Sequence, residues 1–111
     1  MATKPDAKIL LKPLVIEIHH SADEFITIPF NQITRIEIFK RDILVTDLIC
    51  SQIYYQTNGG IRSAIIHEEM TGFDEALSRI AKFPGFMTGW RDRVVLPPFE
   101  ENRTTVFRRD G

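Results

Sequence analysis

The sequence predicts an α+β fold, a small bent antiparallel sheet or partly open barrel capped by one C-terminal amphipathic helix. Three observations carry this. Alternating segments from Gln52 to Thr57 and from Ile61 to His67 flank Asn58, Gly59 and Gly60, and Asn-Gly supplies the positive φ that a tight hairpin demands. One helical stripe follows from Gly72 to Phe83. Ahead of both, short β-branched runs are separated by short polar turns.

Met1 to Lys8 is small, polar and interrupted by Pro5, and reads as a frayed tail. From Ile9 the chain is apolar and β-branched, with a strand expected over Leu14 to His19. Ser21 to Glu24 is a turn, and Phe25 to Ile28 is a second strand. That strand stops at Pro29, which has no amide donor and belongs at a strand end or a sheet edge. Ile33 to Phe39 alternates, with Ile36 and Ile38 on one face and Arg35 and Glu37 on the other. This is the pattern of a half-buried antiparallel strand with one wet face. Lys40 to Asp42 reads as a charged turn, and Ile43 to Cys50 as a strand plus an irregular connection. With the Asn58 hairpin, this makes an antiparallel meander of about six strands ahead of the helix, or seven with a late strand.

In the helix, Phe73, Ala76, Leu77, Ile80 and Phe83 form one apolar stripe, and Asp74, Glu75, Ser78, Arg79 and Lys82 lie opposite. Thr71 is the expected N-cap, with Asp74 as its capping-box partner. Acids open the helix and bases close it, as the macrodipole prefers. Glu75 and Arg79 can pair one turn apart, worth about a few tenths of a kcal/mol. Pro84 and Gly85 end the helix.

Beyond it, Gly85 to Pro98 carries Trp90, a charged run at Arg91, Asp92 and Arg93, and Pro97-Pro98; Thr104 to Arg108 reads as the late strand. Too many large apolar groups lie here for a free linker. The segment is expected to dock, either on its own domain or on a second copy in a homodimer. The expected organisation is a disordered tail over 1–8, a domain with its helix over 9–84 and an extended tail over 85–111.

A chain of 111 residues holds one ordinary core. Hydrophobic residues are 43% and charged residues 26%, which argues against disorder. Eight Phe, one Trp and two Tyr supply a core that needs no metal or disulfide staple. A net charge of -1 argues against nucleic acid as a partner and gives no pull toward anionic lipid headgroups. Cys50 is the only cysteine, so no internal disulfide forms and a cytoplasmic setting is favoured. The N-terminus lacks the apolar core of a signal peptide, and no run approaches the length of a membrane span. The expectation is a soluble single domain without a cofactor.

The strand from Phe25 to Phe30, the one from Ile33 to Ile38, the hairpin ending at Ile65, Ile66 and His67, and the helix start from Gly72 to Leu77 together resemble the pleckstrin-homology-like fold in its GRAM and bacterial variants. The likeness is one of pattern and spans Val15 to Phe83. The chain departs from that fold in its extended tail from Phe86 to Gly111, and in the strand count unless the tail adds the last strand. The resemblance implies a scaffold that binds peptides, lipid headgroups or proteins, or that assembles, rather than an enzyme. No site residue transfers, because the fold has no universal site motif.

His19 and His20 are adjacent on a strand and point to opposite faces, so one metal cannot take both without a bend. His67, Glu68 and Glu69 lack the second histidine that a metalloprotease helix needs, and no metal site is expected. Cys50 has no base among its sequence neighbours and reads as a packed thiol, although folding could bring His19, His20 or His67 to it. Gly59 and Gly60 fit a hairpin turn and not a phosphate loop. Trp90, Arg91, Arg93, Phe99 and Arg103 form the candidate binding surface, with Arg108 and Arg109 as further cations for phosphate or carboxylate. Asp92, Glu100, Glu101 and Asp110 offset that charge and favour ion pairs within or between subunits. Tyr54 and Tyr55 face opposite ways, one toward the core and one toward a surface.

The functional expectation is a non-enzymatic binding or assembly domain of a bacterial-type protein. A protein partner or a second copy is favoured over lipid, and a small immunity or inhibitor protein is one specific version. The alternative is a small hydrolase or isomerase using a His and a carboxylate in the barrel mouth. A deep pocket joining His19, His20 or His67 to an acid favours the enzyme; a shallow apolar surface favours the binder.

Overall fold

The computed structural model describes residues 7–43, 46–97 and 100–109. Within them the chain forms β1 (Lys8–Leu11), β2 (Val15–His19), β3 (Phe25–Pro29), β4 (Ile33–Ile43), β5 (Thr46–Thr57), β6 (Gly60–His67), α1 (Phe73–Ile80), α2 (Trp90–Val95) and β7 (Thr104–Arg108). The strands divide between two antiparallel sheets, in the orders β1-β2-β3 and β6-β5-β4-β7, where the sequence predicts one bent sheet or partly open barrel. The division falls at Pro29. His20 N–H donates to the Glu24 carbonyl (3.1 Å) and Phe30 N–H to the Leu14 carbonyl (3.0 Å), so the even-numbered pairs of β2 and β3 carry the hydrogen bonds. Pro29, opposite Val15, therefore turns its missing donor away from β2. A single 3₁₀ turn at Phe30–Gln32, with Phe30 buried, then carries the chain into the second sheet.

The inner faces follow from period-two alternation. Ile16, Ile18 and Ile28 of the first sheet and Ile36, Ile38, Ile53 and Ile66 of the second are fully buried in one cluster. Phe73, Ala76, Leu77 and Ile80 bring the apolar stripe of α1 into that cluster, while Asp74, Glu75 and Ser78 are exposed. α1 is followed by α2 and β7, so it is not the last element of the chain. β7 pairs with β4, with a register shift that leaves Val106 as an extra residue, and Val106 and Phe107 are both buried.

Several local expectations change. Ala7 is buried and Lys8 opens β1, although both fall in the stretch that reads as a tail. The positive φ of the hairpin falls on Gly60 (114°) and not on Asn58 or Gly59; the Thr57 hydroxyl closes the turn, accepting from Gly59 N–H (3.1 Å) and donating to the Gly60 carbonyl (2.8 Å). Thr71 does not cap α1. Its carbonyl accepts from Ile9 N–H (2.7 Å), and Gly72 takes the N-cap position with φ 91°. A Cβ on Gly72 would lie 2.3 Å from the Ile9 carbonyl oxygen, so only glycine fits this crossing. Arg79 does not pair with Glu75; its guanidinium stacks 4.1 Å above the Phe30 ring. A second helix, α2, forms where the sequence predicts none.

The charged turn expected at Lys40 to Asp42 is strand, because β4 runs through to Ile43. Lys40 lies on the inward face beside Ile38 and is 3% exposed. Its ammonium donates to the carbonyls of Val95 (2.6 Å) and Pro97 (2.8 Å) and lies 3.1 Å from Asp47 Oδ2. Val95 is the last residue of α2, where the helix leaves acceptors without partners and its dipole favours a cation, and Pro97 follows just beyond. Asn102, at φ 48°, donates Nδ2 to the carbonyls of Val94 (3.0 Å) and Pro97 (2.9 Å) and ties the same helix end to the approach of β7.

Candidate functional site

Of the residues expected to form one binding surface, Trp90, Arg91 and Arg93 share α2 and Arg103 stands just ahead of β7. Trp90 opens α2 and is 8% exposed, packed into the main core, with the Arg91 guanidinium 4.6 Å from its ring. Arg93 is exposed on α2. Arg103 lies over the outer face of the four-stranded sheet, where it meets Glu37, and Phe99 lies outside the described residues. Arg109 is committed to backbone, donating to the carbonyls of Ile33 (2.8 Å) and Phe30 (3.3 Å).

Arg103 belongs to a polar cluster that the sequence does not announce. Its guanidinium donates to Glu37 (2.7 Å), Gln52 (2.8 Å) and Glu101 (2.7 Å) and covers the Phe39 ring at 4.0 Å. Tyr54 donates to the same Glu37 carboxylate (3.2 Å), and Arg35 stacks on Tyr54 at 4.1 Å. Burial pushes the Glu37 carboxyl up, but the hydrogen bonds from Arg103 and Tyr54 and the charges of Arg35 and Arg103 outweigh it, so its pKa is lowered. Glu37 is therefore a satisfied anion at the centre of this cluster. Tyr54 is the outward tyrosine and Tyr55, 9% exposed, is the inward one.

Pairing of β5 with β6 sets Cys50 opposite His67. Sequence distance conceals this neighbour; only the hairpin register brings it in. The pair is not poised for nucleophilic chemistry. Cys50 is fully buried, its thiol donates to the Leu48 carbonyl (3.6 Å), and burial raises its pKa. Burial likewise lowers the pKa of His67, whose Nδ1 accepts from Glu69 N–H (3.3 Å). Both shifts favour the neutral partners, whereas an activated thiol needs a thiolate beside an imidazolium. His19 stacks on Phe25, ring centroids 4.8 Å apart, and meets Glu17 at 3.2 Å. Among the described residues, no group of three or more His, Cys, Asp or Glu could hold a metal ion.

The two sheets part along β6. A cleft of about 640 Å³ runs from His20, just past β2, and Ile26 on β3 to Tyr55, Arg62, Ser63 and Ala64 on the second sheet. His20 enters it without a carboxylate among the lining residues. β6 forms one wall and is an outer strand of its sheet. Glu68 N–H donates to the Ile49 carbonyl (3.0 Å), which fixes the hydrogen-bonded pairs as Ile49–Glu68, Ser51–Ile66, Ile53–Ala64 and Tyr55–Arg62. The backbone groups of Ile61, Ser63, Ile65 and His67 therefore point outward along the open edge. Ile61 is 56% exposed beside them.

No protein-family model, no curated protein and no solved structure matches the chain. No helix among the described residues is long and apolar enough to cross a membrane.

Proposed function

We propose that this chain is a non-enzymatic binding domain that takes a protein partner as an added strand on β6. One observation carries the reading: an eight-residue outer strand, free of proline, turns four residues' worth of backbone donors and acceptors outward beside a broad cleft. The other outer strands are blunted. β1 is four residues long and spends its outward Ile9 N–H on the Thr71 carbonyl, β3 holds Pro29 at an outward position, and β7 is five residues long and bulged. Self-association through the tail would use the β7 edge and is accordingly the weaker form of the proposal. The scaffold we have in mind is PH-like, supported by two antiparallel sheets that bury one amphipathic helix, and a cytoplasmic setting is supported by the single free cysteine. Against the hydrolase or isomerase alternative stands the chemistry of the cleft, whose lining pairs His20 and Arg62 with no acid among the described residues.

The test is selection of peptides from a displayed library against the full chain, followed by amide NMR mapping. Strand-adding peptides are expected to shift Ile61, Ser63, Ile65 and His67. Ser63→Pro, which removes an outward donor but no ladder bond, should abolish their binding with the fold intact. A library that yields no binder, or binders indifferent to Ser63→Pro, would sink the proposal.

A further inference from the structure

We propose that a second, separate cleft, formed by Leu14, Phe30 and Arg79, is a binding site for a small carboxylic acid with an apolar body. The cleft holds about 360 Å³ and is more enclosed than the one beside β6. That volume lies in the range of small-molecule sites, which are mostly apolar with a few placed polar groups. Pro13, Leu14, Val15, Pro29 and Phe30 supply the apolar walls, Asn31 an amide, and Arg79 the one charge. The walls are tied together, because Phe30 N–H donates to the Leu14 carbonyl (3.0 Å) and so joins the β1–β2 connection to the 3₁₀ turn.

Charge complementarity selects the occupant. The Arg79 guanidinium carbon lies 4.1 Å from the centre of the Phe30 ring and 5.7 Å from that of the Phe83 ring. A cation over an aromatic face spends none of its N–H donors on that contact. Among the described residues, no carboxylate pairs with this guanidinium and no carbonyl accepts from it. Asp74 and Glu75 share a neighbouring shallow surface with Arg79 but lie beyond ion-pair distance. A guanidinium at the wall of an apolar cleft matches a planar carboxylate through two parallel hydrogen bonds, while the ligand's hydrocarbon body covers Leu14, which is 78% exposed. The site does not depend on strand addition at β6.

The test is an amide NMR titration of the full chain with 3-phenylpropionate and with its neutral isostere, 3-phenylpropanamide. The acid is expected to give saturable shifts at Leu14, Val15, Asn31 and Arg79 and to bind at least about tenfold more tightly than the amide, the usual advantage of a charged hydrogen bond. Arg79→Gln should remove that preference, whereas Lys82→Gln, a nearby exposed cation, should change affinity by less than about twofold. Should Arg79→Gln fail to fold, Leu14→Glu decides, since it places a like charge at the mouth on a residue that adds little to the core and should weaken the acid alone. Absence of saturable shifts, shifts mapping elsewhere, equal affinity for acid and amide, or binding indifferent to Arg79→Gln and Leu14→Glu would each overturn the proposal.

Discussion

Replacing Lys40 by Met isolates the contact that holds α2 to the four-stranded sheet. Methionine keeps most of the stem volume, so packing changes little and the lost group is the ammonium. That ammonium serves the Val95 carbonyl at 2.6 Å, the Pro97 carbonyl at 2.8 Å and Asp47 at 3.1 Å, with its own side chain 2% exposed. Each hydrogen bond from a charged donor contributes about 1.5–3 kcal/mol, but exposure of Val95 lets water recover part of one of them. The expected loss is about 3–5 kcal/mol, the range for removing one partner of a buried ion pair. Urea unfolding followed by tryptophan fluorescence would measure it, because Trp90 sits on the affected helix. Lys82→Met, an exposed control, should stay within about 0.5 kcal/mol. A loss below about 1 kcal/mol for Lys40→Met would mean that these carbonyls are satisfied without Lys40, and the account of the α2 end would be wrong.

Three further outcomes are expected. Leu77→Ala should cost about 2–5 kcal/mol in denaturant melts while Ser78→Ala is near neutral, and equal small effects would show that α1 does not fill the core. Cys50 should react with a disulfide reagent only as fast as the chain opens, and rapid labelling of the native protein would contradict its burial and its raised pKa. The lowered pKa of Glu37 makes a stabilising contribution at neutral pH that disappears as pH falls through the folded-state value. Glu37→Gln should therefore lose about 1–2 kcal/mol at pH 7, and its stability curve should converge with the parent's in acid; parallel curves would refute the network's charge.

What the sequence determines by itself is local and periodic. Alternation of isoleucines assigns the inner faces of β2 and β4, and the stripe from Phe73 to Ile80 assigns α1, because each pattern is complete within one element. Pro29 announces an edge for the same reason, since a missing donor is a property of one residue. The tertiary structure decides everything that depends on which segments meet. Lys40 reads as a turn residue until Glu101 takes its N–H and the end of α2 takes its ammonium, and Thr71 reads as a cap until β1 takes its carbonyl. Trp90 and Arg103 read as one surface until packing sends the first into the core and the second across the sheet to Glu37. The Cys50–His67 neighbour pair, the outward edge of β6 and the stacked Arg79 likewise exist only in the assembled register. A side chain's hydrogen-bonding capacity is written in its chemistry, but the partner that uses it is chosen by contacts between distant segments, and those carry no short-range period to read.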